Sequence, residues 1–80
     1  MKLQILTPDK IVAAEENADE ITIPAHWGQM GILNGYTDFI TTLQKGTIIY
    51  KAGGVEKSHE VTTGGLFVIK NNDATILVDQ

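Results

Sequence analysis

The chain is organised around one stretch, Gly28-Gln29-Met30-Gly31-Ile32-Leu33-Asn34-Gly35. Its glycines are typical of a turn, since glycine alone adopts positive φ without steric cost. Its large apolar side chains, in contrast, favour burial. A segment with both properties either folds beneath the domain or forms a surface that another protein covers. We expect Ile32 and Leu33 to pack in the core, and Gln29 and Met30 to lie exposed at a bend.

Length and composition predict a single small domain. The 80 residues form one unit, residues 1–80, with a core of modest size. No apolar run is long enough to cross a membrane, and residues 1–10 lack the apolar core of a signal peptide. The chain has no cysteine, whereas small secreted domains usually depend on disulfides. A cytoplasmic location without membrane insertion is therefore expected.

The charge balance argues against a nucleic-acid partner. Ten acidic residues and six lysines give a net charge of −4, and the chain has no arginine. Arginine is the usual bidentate donor to phosphate and guanine. An acidic chain without it is a poor nucleic-acid binder.

Short apolar runs alternate with clusters of Gly, Pro, Asn and Asp along the whole chain. This pattern predicts an all-β antiparallel sandwich or barrel without a parallel βαβ unit. Residues 13–20 are rich in Ala and Glu but have no apolar stripe, so we interpret them as strand and turn. Pro24 is expected to end the strand that starts at Glu20, because proline cannot donate to a ladder.

Residues that could carry chemistry do not form a recognisable set. His26 and His59 have no zinc-ligand spacing. Ser58 is adjacent to His59 on a predicted strand, so the two side chains point to opposite faces and cannot act as nucleophile and base. Gly53-Gly54 and Gly64-Gly65 lack the helix N-terminus of a phosphate site and are interpreted as turns or bulges. We therefore predict no catalytic, metal-binding or cofactor-binding residues.

The single tryptophan leaves two functions open. Trp27 would be either a core anchor or a contact at the rim of a protein interface, where tryptophan is enriched. A different class of function is a small-molecule or carbohydrate-binding β-sandwich. Such a module would stack sugars on exposed rings, for which the chain offers Trp27, Tyr36 and Tyr50.

Several motifs together resemble one family. They are Ile21-Thr22-Ile23-Pro24 followed by Gly28–Gly35, then residues 43–46 (LQKG), 61–68 (VTTGGLFV) and 73–79 (DATILVD). Their order and spacing resemble the N-terminal domain of the epsilon subunit of F-type ATP synthases over nearly the whole chain. The resemblance implies a β-sandwich of about ten short strands that serves as a non-catalytic rotor subunit in the central stalk.

The resemblance also implies partners and a location. The domain would bind the gamma subunit and the ring of c subunits, and would couple proton or sodium flow to ATP synthesis. It would be peripheral, at the cytoplasmic face of a bacterial inner membrane. The family's C-terminal helices, which restrain ATP hydrolysis, have no counterpart before Gln80. The chain is then either a natural short form or a fragment, and a natural short form would be expected to couple without that brake.

Position by position, the resemblance implies two sets of contact residues: Trp27, Gln29 and Met30 near the c ring, and Tyr36 and Thr41 on the gamma side. Three positions depart from the family pattern. Gln29 stands where the family often has an acid, so it cannot make the stronger charge-assisted hydrogen bond. Asn34 replaces a proline, and Tyr36 replaces a histidine that faces gamma.

Overall fold

A computed structural model gives the fold, and the structure describes residues 1–79. Those residues form nine strands and no helix, which confirms the predicted all-β sandwich with nine strands where about ten were expected. The strands are β1 (Lys2–Leu6), β2 (Ile11–Glu15), β3 (Ala18–Ala25), β4 (Gly28–Leu33), β5 (Phe39–Leu43), β6 (Gly46–Ala52), β7 (Val55–Val61), β8 (Gly65–Lys70) and β9 (Asp73–Val78).

The strands form one curled sheet with the order β2-β1-β9-β8-β5-β3-β6-β7, and β4 also pairs with β3. The β5–β3 pairing consists only of Ala25 opposite Leu43. This narrow link divides the sheet into a front sheet (β2-β1-β9-β8-β5) and a back sheet (β4-β3-β6-β7). All pairs are antiparallel except β1–β9, which is parallel. The expectation of a wholly antiparallel sandwich was wrong at this pair, because no hairpin joins the first and last strands.

The core lies between the two sheets and follows the strict alternation of strand side chains. Phe67 is the largest fully buried side chain, and the centre of its ring lies 5.4 Å from the centre of the Phe39 ring. Burial of each such side chain contributes about 1.5–3 kcal/mol. The other large, fully buried core residues are Leu3, Ile5, Ile21, Ile23, Ile32, Ile48, Val61, Ile69 and Ile76.

The glycine-rich stretch is mainly a strand. Residues Gly28–Leu33 form β4, paired with β3 in a hairpin, so the bend expected at Gln29 and Met30 is absent. Ile32 is fully buried as predicted, but Leu33 is 58% exposed. The prediction for Leu33 was wrong because successive strand residues face opposite sides.

Pro24 does not end β3, which continues to Ala25, so that prediction was also wrong. The Pro24 carbonyl accepts a hydrogen bond from the Gln44 amide at 2.9 Å. In a strand, the nitrogen and the carbonyl of one residue point to the same side, so the Pro24 nitrogen also faces the side of β3 that pairs with β6. The pairing of β3 with β6 stops at Thr22, before Pro24 is reached. The missing N–H of proline therefore costs no ladder bond.

The turn between β8 and β9 is tied to the segment that follows β4. Asn71 and Asn72 have φ of 51° and 62°, as a type I′ hairpin requires. The Asn72 Oδ1 atom accepts a hydrogen bond from the Gly35 amide at 2.9 Å, and Asp38 Oδ1 accepts one from the Asn71 amide at 2.8 Å. These two bonds fix the segment that carries Tyr36.

Candidate interaction surface

The outer side of the front sheet carries a row of apolar side chains. Leu6 lies opposite Ile11 on β2 and opposite Leu77 on β9, and Leu77 in turn lies opposite Leu66 on β8. The inward positions of these strands are occupied by core residues, so the alternation directs these four side chains outward. They form an unbroken line across four neighbouring strands.

A second apolar pair lies beside this row. Ile40 on β5 is opposite Val68 on β8, and both alternate with buried residues. Ile40 is 64% exposed, Ile11 59% and Leu77 43%. Contiguous exposed apolar side chains on a small domain mark an interaction site. We call this surface the outer apolar face: Leu6, Ile11, Ile40, Leu66, Val68 and Leu77.

The outer side of the back sheet is mostly polar. Lys51 makes ion pairs with Glu20 and Glu56 at 3.7 and 4.0 Å, and Thr47 donates a hydrogen bond to Glu60 at 2.6 Å. Exposed ion pairs of this kind contribute little to stability and are typical of solvated surfaces. Leu33 and Val55 are also exposed, at 58% and 54%, on the two edge strands of the back sheet, β4 and β7. The two sheets therefore differ in that only the front sheet carries its exposed apolar side chains as a continuous row.

The three residues predicted to contact the c ring lie at the β3–β4 hairpin. Trp27 is in the turn and 65% exposed, which is inconsistent with a core anchor. Gln29 is exposed, whereas Met30 is half-buried and packs against the core. The two neighbours face opposite sides of β4, so of the three residues only Trp27 and Gln29 are exposed.

The two residues predicted for the gamma side differ in exposure. Tyr36 is half-buried, and its ring lies 5.3 Å from that of Phe39. Thr41 is only 8% exposed, and its hydroxyl donates to the Thr42 carbonyl at 3.3 Å. Its neighbour Ile40 occupies one of the two exposed positions of β5 and belongs to the outer apolar face.

Sequence reasoning missed the outer apolar face, although a signal for it exists. Residues 66–69 (LFVI) form an uninterrupted apolar run, which is typical of a strand covered on both sides. Leu6 likewise breaks the alternation of the first strand. Both observations indicate an outer surface that is apolar. The sequence does not show, however, how β1, β9 and β8 pair, and it is this pairing that brings Leu6 next to the 66–69 run.

The described residues show no site for a metal or a sugar. Across residues 1–79, no group of three or more His, Cys, Asp or Glu residues comes together, and every buried polar side-chain atom has a partner. Tyr50 is buried, while Trp27 precedes β4 and Tyr36 follows it, at opposite ends of the strand. These aromatic side chains do not form a common stacking surface, so nothing in the geometry favours a carbohydrate module. The same residues contain no helix that could span a membrane.

Comparison with known proteins gives a consistent result. A family described as "ATP synthase, Delta/Epsilon chain, beta-sandwich domain" matches residues 1–80. A protein named ATP synthase epsilon chain from Geotalea daltonii is 39% identical over 79 residues, which cover 99% of this chain and 56% of that protein. Another protein of the same name, from Bdellovibrio bacteriovorus, is 44% identical over 57 residues, which cover 71% of this chain and 41% of that protein.

Two solved structures share the fold. A chain in the central stalk and c-ring structure of Tetrahymena thermophila mitochondrial ATP synthase gives a TM-score of 0.82 at 21% identity, covering 100% of this chain and 63% of that one. A chain in the OSCP/F1/c-ring structure of the Euglena gracilis mitochondrial ATP synthase gives a TM-score of 0.88 at 22% identity. The match covers 98% of this chain and 49% of that one. The chain thus spans about half the length of the relatives it matches, such as 56% of the Geotalea protein.

Proposed function

This chain belongs to the family of ATP synthase delta/epsilon β-sandwich domains, and we propose that it is a non-catalytic rotor subunit of the central stalk. The observation that carries the proposal is the family match over residues 1–80. In this role the domain transmits rotation between the membrane sector, driven by protons or sodium ions, and ATP synthesis. It would act at the cytoplasmic face of the membrane as a peripheral component.

The proposed gamma-binding surface is the outer apolar face. Ile40 and Ile11 are 64% and 59% exposed, and water contact with such side chains costs about 25 cal/mol per Å² of apolar surface. A partner that covers the face recovers this free energy. Tyr36 lies at the margin of the front sheet, next to Phe39, and extends the surface with a partly polar ring. Thr41 would support the interface from within, since its side chain points inward.

The proposed c-ring contact is the β3–β4 hairpin. Trp27 offers a large exposed ring, of the type that dominates binding energy in protein interfaces. Gln29 can both donate and accept hydrogen bonds with polar loops of the ring. The six residues of β4 separate this hairpin from the Asn34–Gly35 turn by about 20 Å at strand rise. A domain with contacts at separate places can link two partners.

Titration with the gamma subunit of the same organism tests the proposal. Ile40→Asp places a charge at the most exposed side chain of the outer apolar face, and Ser58→Asp places the same charge at an exposed position of β7. Because an uncompensated buried charge costs at least about 2 kcal/mol, the Ile40 variant should bind roughly 30-fold more weakly. The Ser58 variant should bind like the parent chain.

Calorimetry gives the affinity, and circular dichroism verifies that both variants are folded. Equal binding by the parent and the Ile40 variant would exclude the outer apolar face as the gamma-binding surface. Failure of the parent chain to bind gamma at all would argue against the rotor function itself.

A further inference from the structure

The turn that follows β4 contains an Asn–Gly pair, Asn34-Gly35. Both residues are exposed to solvent. In an unrestrained chain this pair is prone to deamidation, because glycine has no side chain to shield its amide nitrogen from the preceding asparagine. The Gly35 nitrogen attacks Cγ of Asn34, a cyclic succinimide forms, and ammonia leaves. Water then opens the ring to aspartate or isoaspartate.

One hydrogen bond closes the turn that contains the attacking nitrogen, and a second holds the nitrogen itself. The Tyr36 amide donates to the Leu33 carbonyl at 3.2 Å, and Gly35 has φ of 80°, so residues 33–36 form a type II turn. The Gly35 N–H itself donates to Asn72 Oδ1 at 2.9 Å. The nitrogen cannot rotate towards Asn34 Cγ, or lose its proton, while this bond is intact.

The carbon that would be attacked is, in contrast, prepared for reaction. Asn34 Oδ1 accepts hydrogen bonds from the Met1 amino group and from Asn72 Nδ2, the latter at 3.4 Å. Donors on this oxygen withdraw electron density from Cγ and make it more electrophilic. Asn72 restrains the nucleophile through its 2.9 Å bond with the Gly35 amide, and its longer 3.4 Å bond also holds the Asn34 side chain.

We propose that Asn34 is a latent deamidation site that the Asn72 side chain keeps closed. Opening of the β8–β9 turn releases the Gly35 nitrogen and starts the reaction. One water molecule is consumed and one ammonia molecule is released, with no oxidant or reductant. The product carries a new negative charge, and the isoaspartate form lengthens the backbone by one carbon immediately before Gly35, two residues ahead of Tyr36.

A pair of glycine variants tests the role of Asn72. The variant Asn71→Gly retains the Asn72 side chain, and the double variant Asn71→Gly/Asn72→Gly removes it. Both residues have positive φ, which glycine adopts without strain, and neither variant creates a new Asn–Gly pair. Each protein is incubated folded in mildly alkaline buffer, with circular dichroism to verify the fold.

Peptide mass spectrometry gives the rate of conversion of amide to acid at Asn34. Cleavage after Lys10 and Lys45 places Asn34 and Asn17 on one peptide, so Asn17 serves as the internal reference. The double variant should react about two- to ten-fold faster at Asn34 than the single variant, the range for loss of one hydrogen bond. Equal rates would overturn the proposal.

A comparison within one protein gives a test that needs no second variant. The chain with Asn71→Gly is incubated both folded and in urea. Slower reaction at Asn34 in the folded chain supports protection by the turn. A folded rate as fast as the unfolded rate would show that the turn does not restrain the Gly35 nitrogen.

Discussion

The sharpest structural prediction concerns Gly65, where β8 begins. A Cβ atom at this position would lie 2.3 Å from the Leu77 carbonyl oxygen and 3.2 Å from Val78 Cγ1. An ordinary carbon–oxygen contact is about 3.3 Å, so the overlap is about 1 Å against backbone that cannot rotate away. In Gly65→Ala, β8 and β9 must therefore separate, which disturbs the pairing of Gly65 with Val78.

The cost can be estimated from its two parts. Overpacking of this kind costs about 1–3 kcal/mol, and a weakened ladder hydrogen bond adds about 1 kcal/mol. The expected loss is therefore about 2–4 kcal/mol of unfolding free energy. A domain of 80 residues has a total stability of about 4–12 kcal/mol, so the variant should lose a large fraction of it.

Gly31→Ala is the matched control. Gly31 lies in the middle of β4, its φ is outside the left-handed region, and a Cβ there would meet nothing within 4 Å. The same substitution should change stability by no more than about 1 kcal/mol, and in the stabilising direction through the unfolded chain. Urea unfolding monitored by far-ultraviolet circular dichroism measures both variants, since exposed Trp27 is a weak fluorescent reporter. Equal stabilities of the two variants would refute the close-approach explanation.

Four other substitutions test the packing and one ion pair. Phe67→Ala should lose about 3–5 kcal/mol in the same urea assay, because a fully buried ring leaves a cavity; a loss below about 1 kcal/mol would contradict its place in the core. Met30→Ala should lower the free energy of unfolding by about 1–2 kcal/mol, and Gln29→Ala by less than about 0.5 kcal/mol, since only Met30 packs against the core. A larger loss for Gln29→Ala than for Met30→Ala in urea unfolding would show that the two side chains face the opposite sides of β4 from those assigned. Lys57→Ala should lose less than about 1 kcal/mol, and high salt should abolish the difference from the parent, because its 3.1 Å pair with Glu15 is partly exposed. A difference that persists in high salt would assign Lys57 a packing role.

Local chemistry explains which parts of the fold were predictable. The turn at Gly53-Gly54 was predicted from its residues, and both have positive φ in the structure. The β1–β9 pair joins residues more than sixty positions apart, and no local pattern determines the direction of such a pair. Pro24 was misinterpreted for a related reason: its effect depends on where β6 stops pairing with β3, which is a property of the assembled sheet.

The candidate surface was predictable only in part. The family resemblance directed attention to Trp27, which is exposed as an interface residue must be. It also directed attention to Thr41, although the exposed side chains of β5 are those of its neighbours Ile40 and Thr42. A shift of one residue moves a strand side chain to the other face. Identification of the exposed set therefore requires the register of each strand as well as the position of the motif.

The rotor assignment is tested most directly in the solubilised ATP synthase itself. The full chain, carrying an affinity tag, is expressed in its own organism, captured from detergent-solubilised membranes and analysed by mass spectrometry. We predict that the gamma and c subunits are recovered together with it, and that Ile40→Asp reduces the recovery while Ser58→Asp does not. Recovery of the folded, tagged chain without any ATP synthase subunit would contradict the proposed function.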